Sequence, residues 1–219
     1  MKIKWYGHSF FELTAKPTKK DKIRIVIDPY DKKIGINPPK IKRADALLVS
    51  HDHHNHSNTE VVKGSPFLID GPGEYEIKKV YIKGVPAFHD QSSGKERGKV
   101  TIFVIEMADL TICHLSDFGQ KELTEDQLEK IGEVNILMVP IGGNFTIGAK
   151  VAANVINQIE PQIVIPMHYK IPGVKIDIDG IDKFLKVMGI QNPEKEKFLS
   201  VKKKDLPESE TKIIVLEKL

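Results

Sequence analysis

One segment constrains this chain more than any other. The apolar run Ala46-Leu47-Leu48-Val49 leads directly into Ser50-His51-Asp52-His53-His54-Asn55-His56, which sets four histidines at the end of a strand-like stretch. In extended chain, His51 and His53 point to the same side. Two converging imidazoles begin a zinc site, which needs neutral nitrogen ligands at roughly 2.0–2.1 Å, but they do not complete one. Further donors must come from elsewhere. Three residues that close apolar runs offer them: His89 after Val85 to Phe88, Asp117 after Leu110 to Leu115, and His168 after Ile163 to Met167. A lone histidine is ordinarily a satisfied core or surface residue. That explanation would have to hold separately for each of these residues, whereas a single divalent-metal site accounts for all of them.

The rest of the chain predicts how such a site is scaffolded. The first half reads as short, β-branched runs closed by Gly, Pro or Asp: Ile3 to Tyr6, Phe10 to Leu13, Ile23 to Ile27, Ala46 to Ser50, Phe67 to Ile69, Val80 to Val85, Val100 to Glu106 and Leu110 to Cys113. Helices enter at Thr124, where Thr-Glu-Asp-Gln has the form of a capping box. A second helix is expected over Ala149 to Ile159, stopped by Pro161, and a third around Ile181 to Val187. Strands are expected at Ile136 to Val139, Ile163 to Ile165, Phe198 to Val201 and Ile213 to Leu216. Strands first, then strands alternating with helices, predict face-to-face sheets with helices outside, an α/β sandwich. Gly71-Pro72-Gly73-Glu74-Tyr75 reads as a turn.

Nothing marks a linker, so one domain over residues 1–219 is expected. With 40% apolar and 29% charged residues, the chain can bury a sizeable core. The net charge of +3 is too small to imply nucleic-acid binding, and the run Lys202-Lys203-Lys204 reads as a strand edge or solvated face. The single Cys113 lies in an apolar run and reads as a buried hydrophobe, in keeping with a reducing compartment. The amino-terminal residues show no apolar signal core, and no run reaches the roughly 18 apolar residues needed to span a bilayer. The expectation is a cytoplasmic protein.

With these residues placed, the chain resembles the metallo-β-lactamase superfamily. The resemblance rests on the His-x-His-x-x-His segment and the later His89, Asp117 and His168. It is closest to short metal-dependent hydrolases and the L-ascorbate-6-phosphate lactonase branch, through Gly7-His8-Ser9, Asp28-Pro29, Ser50-His51, Pro140-Ile141-Gly142-Gly143-Asn144-Phe145-Thr146 and Ile165-Pro166-Met167-His168-Tyr169. The resemblance implies a four-layer αββα sandwich with two metals at one edge of the sheets. His51, His53 and His89 would hold the first metal and His56 and His168 the second, with Asp117 bridging.

Asn55 departs from the family pattern, which has an aspartate there. Its amide oxygen is a neutral, poorer donor, so a weaker second site is expected, and an amide cannot deliver a proton as a carboxylic acid does. Asp52 and His54 fall at non-ligand positions and are expected to be solvated or to support the ligands. His114 joins Asp117 and Asn55 as a candidate catalytic residue, since a ligating histidine needs a partner to fix its ring. His8 is a secondary candidate; Asp28 reads first as a strand-exit turn and secondly as such a partner. Gly142-Gly143-Asn144 reads either as a mobile pocket loop or as a tight turn.

The implied activity is hydrolysis of an ester, lactone or phosphoester by metal-activated water, on a small and anionic substrate, with zinc expected and manganese or iron admissible. Homo-oligomers are compatible with the sequence. A small nuclease of the same fold is disfavoured because the length leaves little room for a nucleic-acid-binding arm. A non-catalytic sensor with a decayed second site would be marked by Asn55. A diiron oxygen-reducing role is disfavoured by His53, where such sites use a carboxylate.

Overall fold

The computed structural model describes residues 1–16 and 22–219. In chain order its strands are β1 (Lys2–Trp5), β2 (Phe11–Ala15), β3 (Ile23–Ile27), β4 (Ala46–Leu48), β5 (Phe67–Ile69), β6 (Gly73–Ile77), β7 (Val80–Phe88), β8 (Lys99–Met107), β9 (Leu110–His114), β10 (Ile136–Pro140), β11 (Ile163–Met167), β12 (Glu194–Glu196), β13 (Leu199–Ser200) and β14 (Lys212–Leu216). The helices are α1 (Glu125–Ile131), α2 (Ala149–Ile159) and α3 (Ile181–Val187). One sheet runs β13-β1-β2-β3-β4-β5 and the other β12-β14-β11-β10-β9-β8-β7-β6.

Strand direction decides where a site can form. In the first sheet β1 and β3 are both antiparallel to β2, and β4 is parallel to β3, so β1, β3 and β4 run the same way. In the second, β7 and β9 are both antiparallel to β8, and β10 and β11 are parallel to β9. The carboxyl ends of β1, β3 and β4 therefore share one edge, as do those of β7, β9 and β11. Residues immediately after these strands can meet without any long loop.

The main core lies between the sheets and includes Ile3, Trp5, Phe11 and Leu13 from one and Phe103, Ile105, Ile112 and Val139 from the other. Each such side chain contributes roughly 1.5–3 kcal/mol by leaving water. Strands β10 and β11 are buried along their whole length, the pattern of parallel strands covered on both faces, and α2 packs on β10. The other sheet is covered differently. A second cluster with Phe10, Val26, Tyr30, Ile34 and Leu47 lies outside it, under the segment that carries the 3-10 turns Lys32–Ile34 and Thr59–Val61. The two-sheet α/β fold is thus as expected, but its first outer layer is built from turns and loop rather than α-helices.

Local signals placed the helices well. Thr124 and Gln127 form the reciprocal capping box of α1, and α2 ends at Glu160 in a left-handed conformation before Pro161. Two strands escaped the sequence. Gly73–Ile77, within the segment read as a turn, is the edge strand β6, and the charged Glu194–Glu196 is the edge strand β12, with Lys212 Nζ 2.6 Å from Glu194. Lys202 to Lys204 are exposed, and Lys203–Asp205 form a 3-10 turn. No described helix is long and apolar enough to cross a membrane.

Candidate metal centre

Loops after β1, β3, β4, β7, β9 and β11 bring the candidate donors together. The segment after β4 does not continue as extended chain. The amides of His56 and Ser57 both donate to the His53 carbonyl, at 2.8 and 3.1 Å, so the chain turns. His51 and His53 still converge as expected, through that turn rather than strand alternation, with ring centroids 4.6 Å apart. His89, directly after β7, places its ring 5.0 Å from His51 and 5.2 Å from His53. The three offer donor atoms within 4.8 Å of one another. A second group meets the same limit: His8, His56, Asp117 and His168.

Asp117 joins the groups. Its Oδ2 lies 3.0 Å from His56 Nε2, 3.3 Å from His168 Nε2, 3.4 Å from His89 Nε2 and 4.0 Å from His51 Nε2. One carboxylate oxygen thus faces members of both clusters.

A buried polar layer fixes these rings. Asp28, fully buried, accepts from the Ser50 amide at 2.8 Å, from Ser50 Oγ at 2.7 Å and from His56 Nδ1 at 2.9 Å. Asp28 does turn the chain, at φ 48°, but the expectation that a turn is its main role needs correction: its carboxylate orients His56. Ser116 Oγ extends the layer by donating to Ser50 Oγ. Sequence reasoning took Ser50 only as part of the Ser50-His51 segment and gave it no role, and it missed Ser116; nothing but their adjacency to His51 and Asp117 could have shown what they do. His8, Asp28, Ser116 and His168 all have φ between 48° and 54°, a left-handed conformation costing about 1 kcal/mol or more each for such residues. They sit together at the site, and packing around them holds the conformation. Gly142 helps: a Cβ there would collide with the His168 carbonyl.

The remaining candidates are placed as follows. Both ring nitrogens of His114 are engaged by the protein, Nε2 by the Ser9 carbonyl at 3.1 Å and Nδ1 by the Ser116 amide at 3.2 Å, so His114 stands outside the donor groups. Asn55 Nδ2 lies 2.9 Å from His8 Nε2. Asp52 and His54 are exposed. Gly142 and Gly148 bridge, and the Gly143 amide donates to Ile147, closing a tight turn that sets Phe145 in the cavity wall. Cys113 is buried, which pushes its thiol pKa up and leaves it unreactive.

Electrostatics follow from burial and crowding. Burial would raise the pKa of Asp117, but His168 and His56 more than offset it and hold the carboxyl well below its usual range. Burial, with His56 next, pushes His51 down to about 2, and burial followed by His168 and His56 depresses His8. His56 goes the other way. Burial opposes its charge, yet Asp117 and Asp28 on either side raise it to about 10.

Several of these atoms have nothing to bond to in the protein. His8 Nδ1, His51 Nε2, His56 Nε2, His89 Nδ1, His168 Nδ1 and Asp117 Oδ1 are buried and without a hydrogen-bond partner. His56 Nε2 is close to Asp117 Oδ2 but not aligned as a hydrogen bond. A buried polar atom left unsatisfied costs about 1–3 kcal/mol, so such a concentration fits residues that hold a ligand. Imidazole nitrogens with one carboxylate fit a divalent transition metal.

A cavity of about 420 Å³ opens beside the donors, and His53, His89, Asp117 and His168 are among the residues that line it. Its lining also includes Lys33 and Arg97, with Ile34, Ile176 and Phe145. The Arg97 guanidinium lies 5.7 Å from the Phe145 ring centroid. Hollows of about 450 and 460 Å³ elsewhere on the surface are lined by none of the donors.

The profile of the β-lactamase superfamily domain matches residues 2–168. A UPF0173 metal-dependent hydrolase from Staphylothermus marinus is 30% identical over 196 residues, covering 76% of this chain and 82% of the relative. Another, from Pyrococcus abyssi, is 29% identical over 216 residues, covering 84% of this chain and 92% of its own. Among solved structures, a candidate Zn-dependent hydrolase of the metallo-β-lactamase superfamily from Thermotoga maritima superposes with a TM-score of 0.79 at 36% identity, covering 98% of this chain and 97% of that one.

Proposed function

The chain belongs to the metallo-β-lactamase superfamily, and on that premise we propose that it hydrolyses a small anionic ester, lactone or phosphoester at a two-metal centre. His51, His53 and His89 would hold one ion, His56 and His168 would help to hold the other, and Asp117 would serve both. Zinc suits this donor set best, with manganese and iron as substitutes. When bound, such ions lower the pKa of water to near neutrality and stabilise negative charge developing on a carbonyl or phosphoryl oxygen.

The chain's own residues supply the rest. Asp28, Ser50 and Ser116 hold the donors in place before substrate arrives, so little reorganisation is needed at the moment of reaction. Lys33 and Arg97 give the cavity two cations suited to a phosphate or carboxylate, and Phe145 and the two isoleucines give it apolar surface beside them. Asp117 Oδ1, buried and unpartnered, has acceptor capacity that no protein group uses. A proton for the leaving group does not come from Asn55, whose amide has none to give at neutral pH.

The convergence of His56, His89 and His168 Nε2 within 3.4 Å of one Asp117 oxygen, with His56 Nε2 and Asp117 Oδ1 buried and unpartnered, carries this reading. It is tested by supplying metal-stripped protein with zinc or manganese and a panel of chromogenic phosphodiesters, lactones and esters. Cleavage of at least one, abolished by a chelator, is expected. Turnover no greater than the chelated control across all classes would refute it.

A further inference from the structure

We propose that His8, rather than Asn55, completes the second donor group, and that Asn55 acts by holding the His8 ring. The inference rests on the two-metal reading above. Counted without His8, the second group has a neutral amide where the family places a carboxylate. The structure brings a residue from a different part of the chain to that place. His8, in the turn between β1 and β2, offers a donor atom within 4.8 Å of those of His56, Asp117 and His168. Its ring centroid is 4.1 Å from that of His168 and 5.0 Å from that of His56.

Three observations separate a ligand from a packing residue. His8 is 1% exposed, and its Nδ1 is buried with no partner. An apolar side chain would fill the same space without leaving a nitrogen unsatisfied. The backbone is held in the left-handed region, φ 54°, where most side chains are disfavoured, and it is pinned there. The His8 carbonyl accepts from the His168 amide at 3.1 Å and from Trp5 Nε1 at 2.9 Å, which locks His8 to a neighbouring donor.

Asn55 sits on the other nitrogen, with its side-chain amide 2.9 Å from His8 Nε2. The two ends of an amide are assigned from the hydrogen-bond network rather than observed. With Oδ1 facing the ring, Asn55 accepts from Nε2–H, fixes the tautomer and leaves Nδ1 as the free lone pair, the arrangement that orients ligating histidines generally. The second group then has three imidazoles and one carboxylate. With a histidine in place of a carboxylate, the centre is more positive by about one charge, which matches the two cations in the cavity wall.

The test is metal stoichiometry and the visible spectrum of the cobalt-substituted protein, which reports donor number and type without any substrate. His8→Ala is paired with His8→Asn, because asparagine tolerates the left-handed backbone, and thermal unfolding confirms that each variant folds. The unaltered protein is expected to bind two cobalt ions, both His8 variants only one, and Asn55→Ala two, with the second weakened by roughly 10–100-fold. Two ions with unchanged affinity and spectrum in a folded His8 variant would overturn the proposal. So would loss of the second ion in Asn55→Ala as complete as in the His8 variants. An unaltered protein that binds no ion overturns the metal-centre reading itself, a different outcome from either of these.

Discussion

Replacing Asp28 by asparagine keeps the shape of the buried layer and removes one charge, so its effect can be worked through atom by atom. Asp28 Oδ1 accepts from the Ser50 amide, and asparagine can go on doing so. Oδ2 accepts from Ser50 Oγ at 2.7 Å and from His56 Nδ1 at 2.9 Å, and there the variant presents an N–H instead. Ser50 recovers by turning its hydroxyl. His56 recovers only by giving up the Nδ1 proton and carrying it on Nε2, the nitrogen 3.0 Å from Asp117 that must be bare to hold a metal. The substitution therefore stabilises the wrong tautomer. A hydrogen bond to a charged group contributes about 1.5–3 kcal/mol, which corresponds to roughly 10–150-fold in affinity. Substitutions behind metal-ligating histidines cost about 10–100-fold, so the two estimates agree. Competition with a chromogenic chelator should show Asp28→Asn weaker by that factor for the ion nearest His56, with the other ion less affected. A folded variant that binds both ions as tightly as the unaltered chain would show that Asp28 does not set the His56 tautomer.

Other expectations test separate parts of the site. Lys33→Ala with Arg97→Ala should raise KM for an anionic substrate by at least about tenfold, since each removes a charge-assisted contact of roughly 1.5–3 kcal/mol, while metal content stays the same; unchanged KM would remove the anion-binding role. Asp90 accepts from the amides of Ser92, Gly94, Glu96 and Arg97, so Asp90→Ala should loosen the segment that carries Arg97 and raise hydrogen exchange over residues 91–98. His114 is buried and its pKa is lowered by that burial, so the unfolded chain binds a proton that the folded chain does not. Its contribution is fully present above the unfolded pKa of about 6.5 and is lost as pH falls below it, by up to about 1.4 kcal/mol per pH unit. Denaturant unfolding of metal-loaded protein at pH 7 and pH 5.5 should show that loss, and His114→Gln should show less of it.

Elements with a strong local signal were legible in the sequence. The Thr124 capping box, the helical spacing stopped at Pro161 and the buried β-branched runs each depend on residues close together, and the structure places α1, α2, β10 and β11 where those signals lie. Edge strands were not. Glu194–Glu196 has no apolar face to declare it, and Gly73–Ile77 follows a Gly-Pro pair that signals a turn. His51, His53, His56, His89, Asp117 and His168 were legible because each follows an apolar strand, and parallel strands bring such ends to one edge. The layer behind them was not. Ser50 and Ser116 are small residues whose partners lie 22 and 66 positions away, and the encounter of His8 with Asn55 spans 47. A contact between distant loops has no period or spacing from which to read it.

The direct measurement is calorimetric titration of metal-free protein with zinc, paired with elemental analysis of the bound metal and repeated on His53→Ala and His168→Ala. Two ions per chain are expected for the unaltered protein, with His53→Ala losing the ion held by His51 and His89, and His168→Ala losing the other. No binding by the unaltered chain, or full stoichiometry in both variants, would contradict the assignment of these residues to a metal centre.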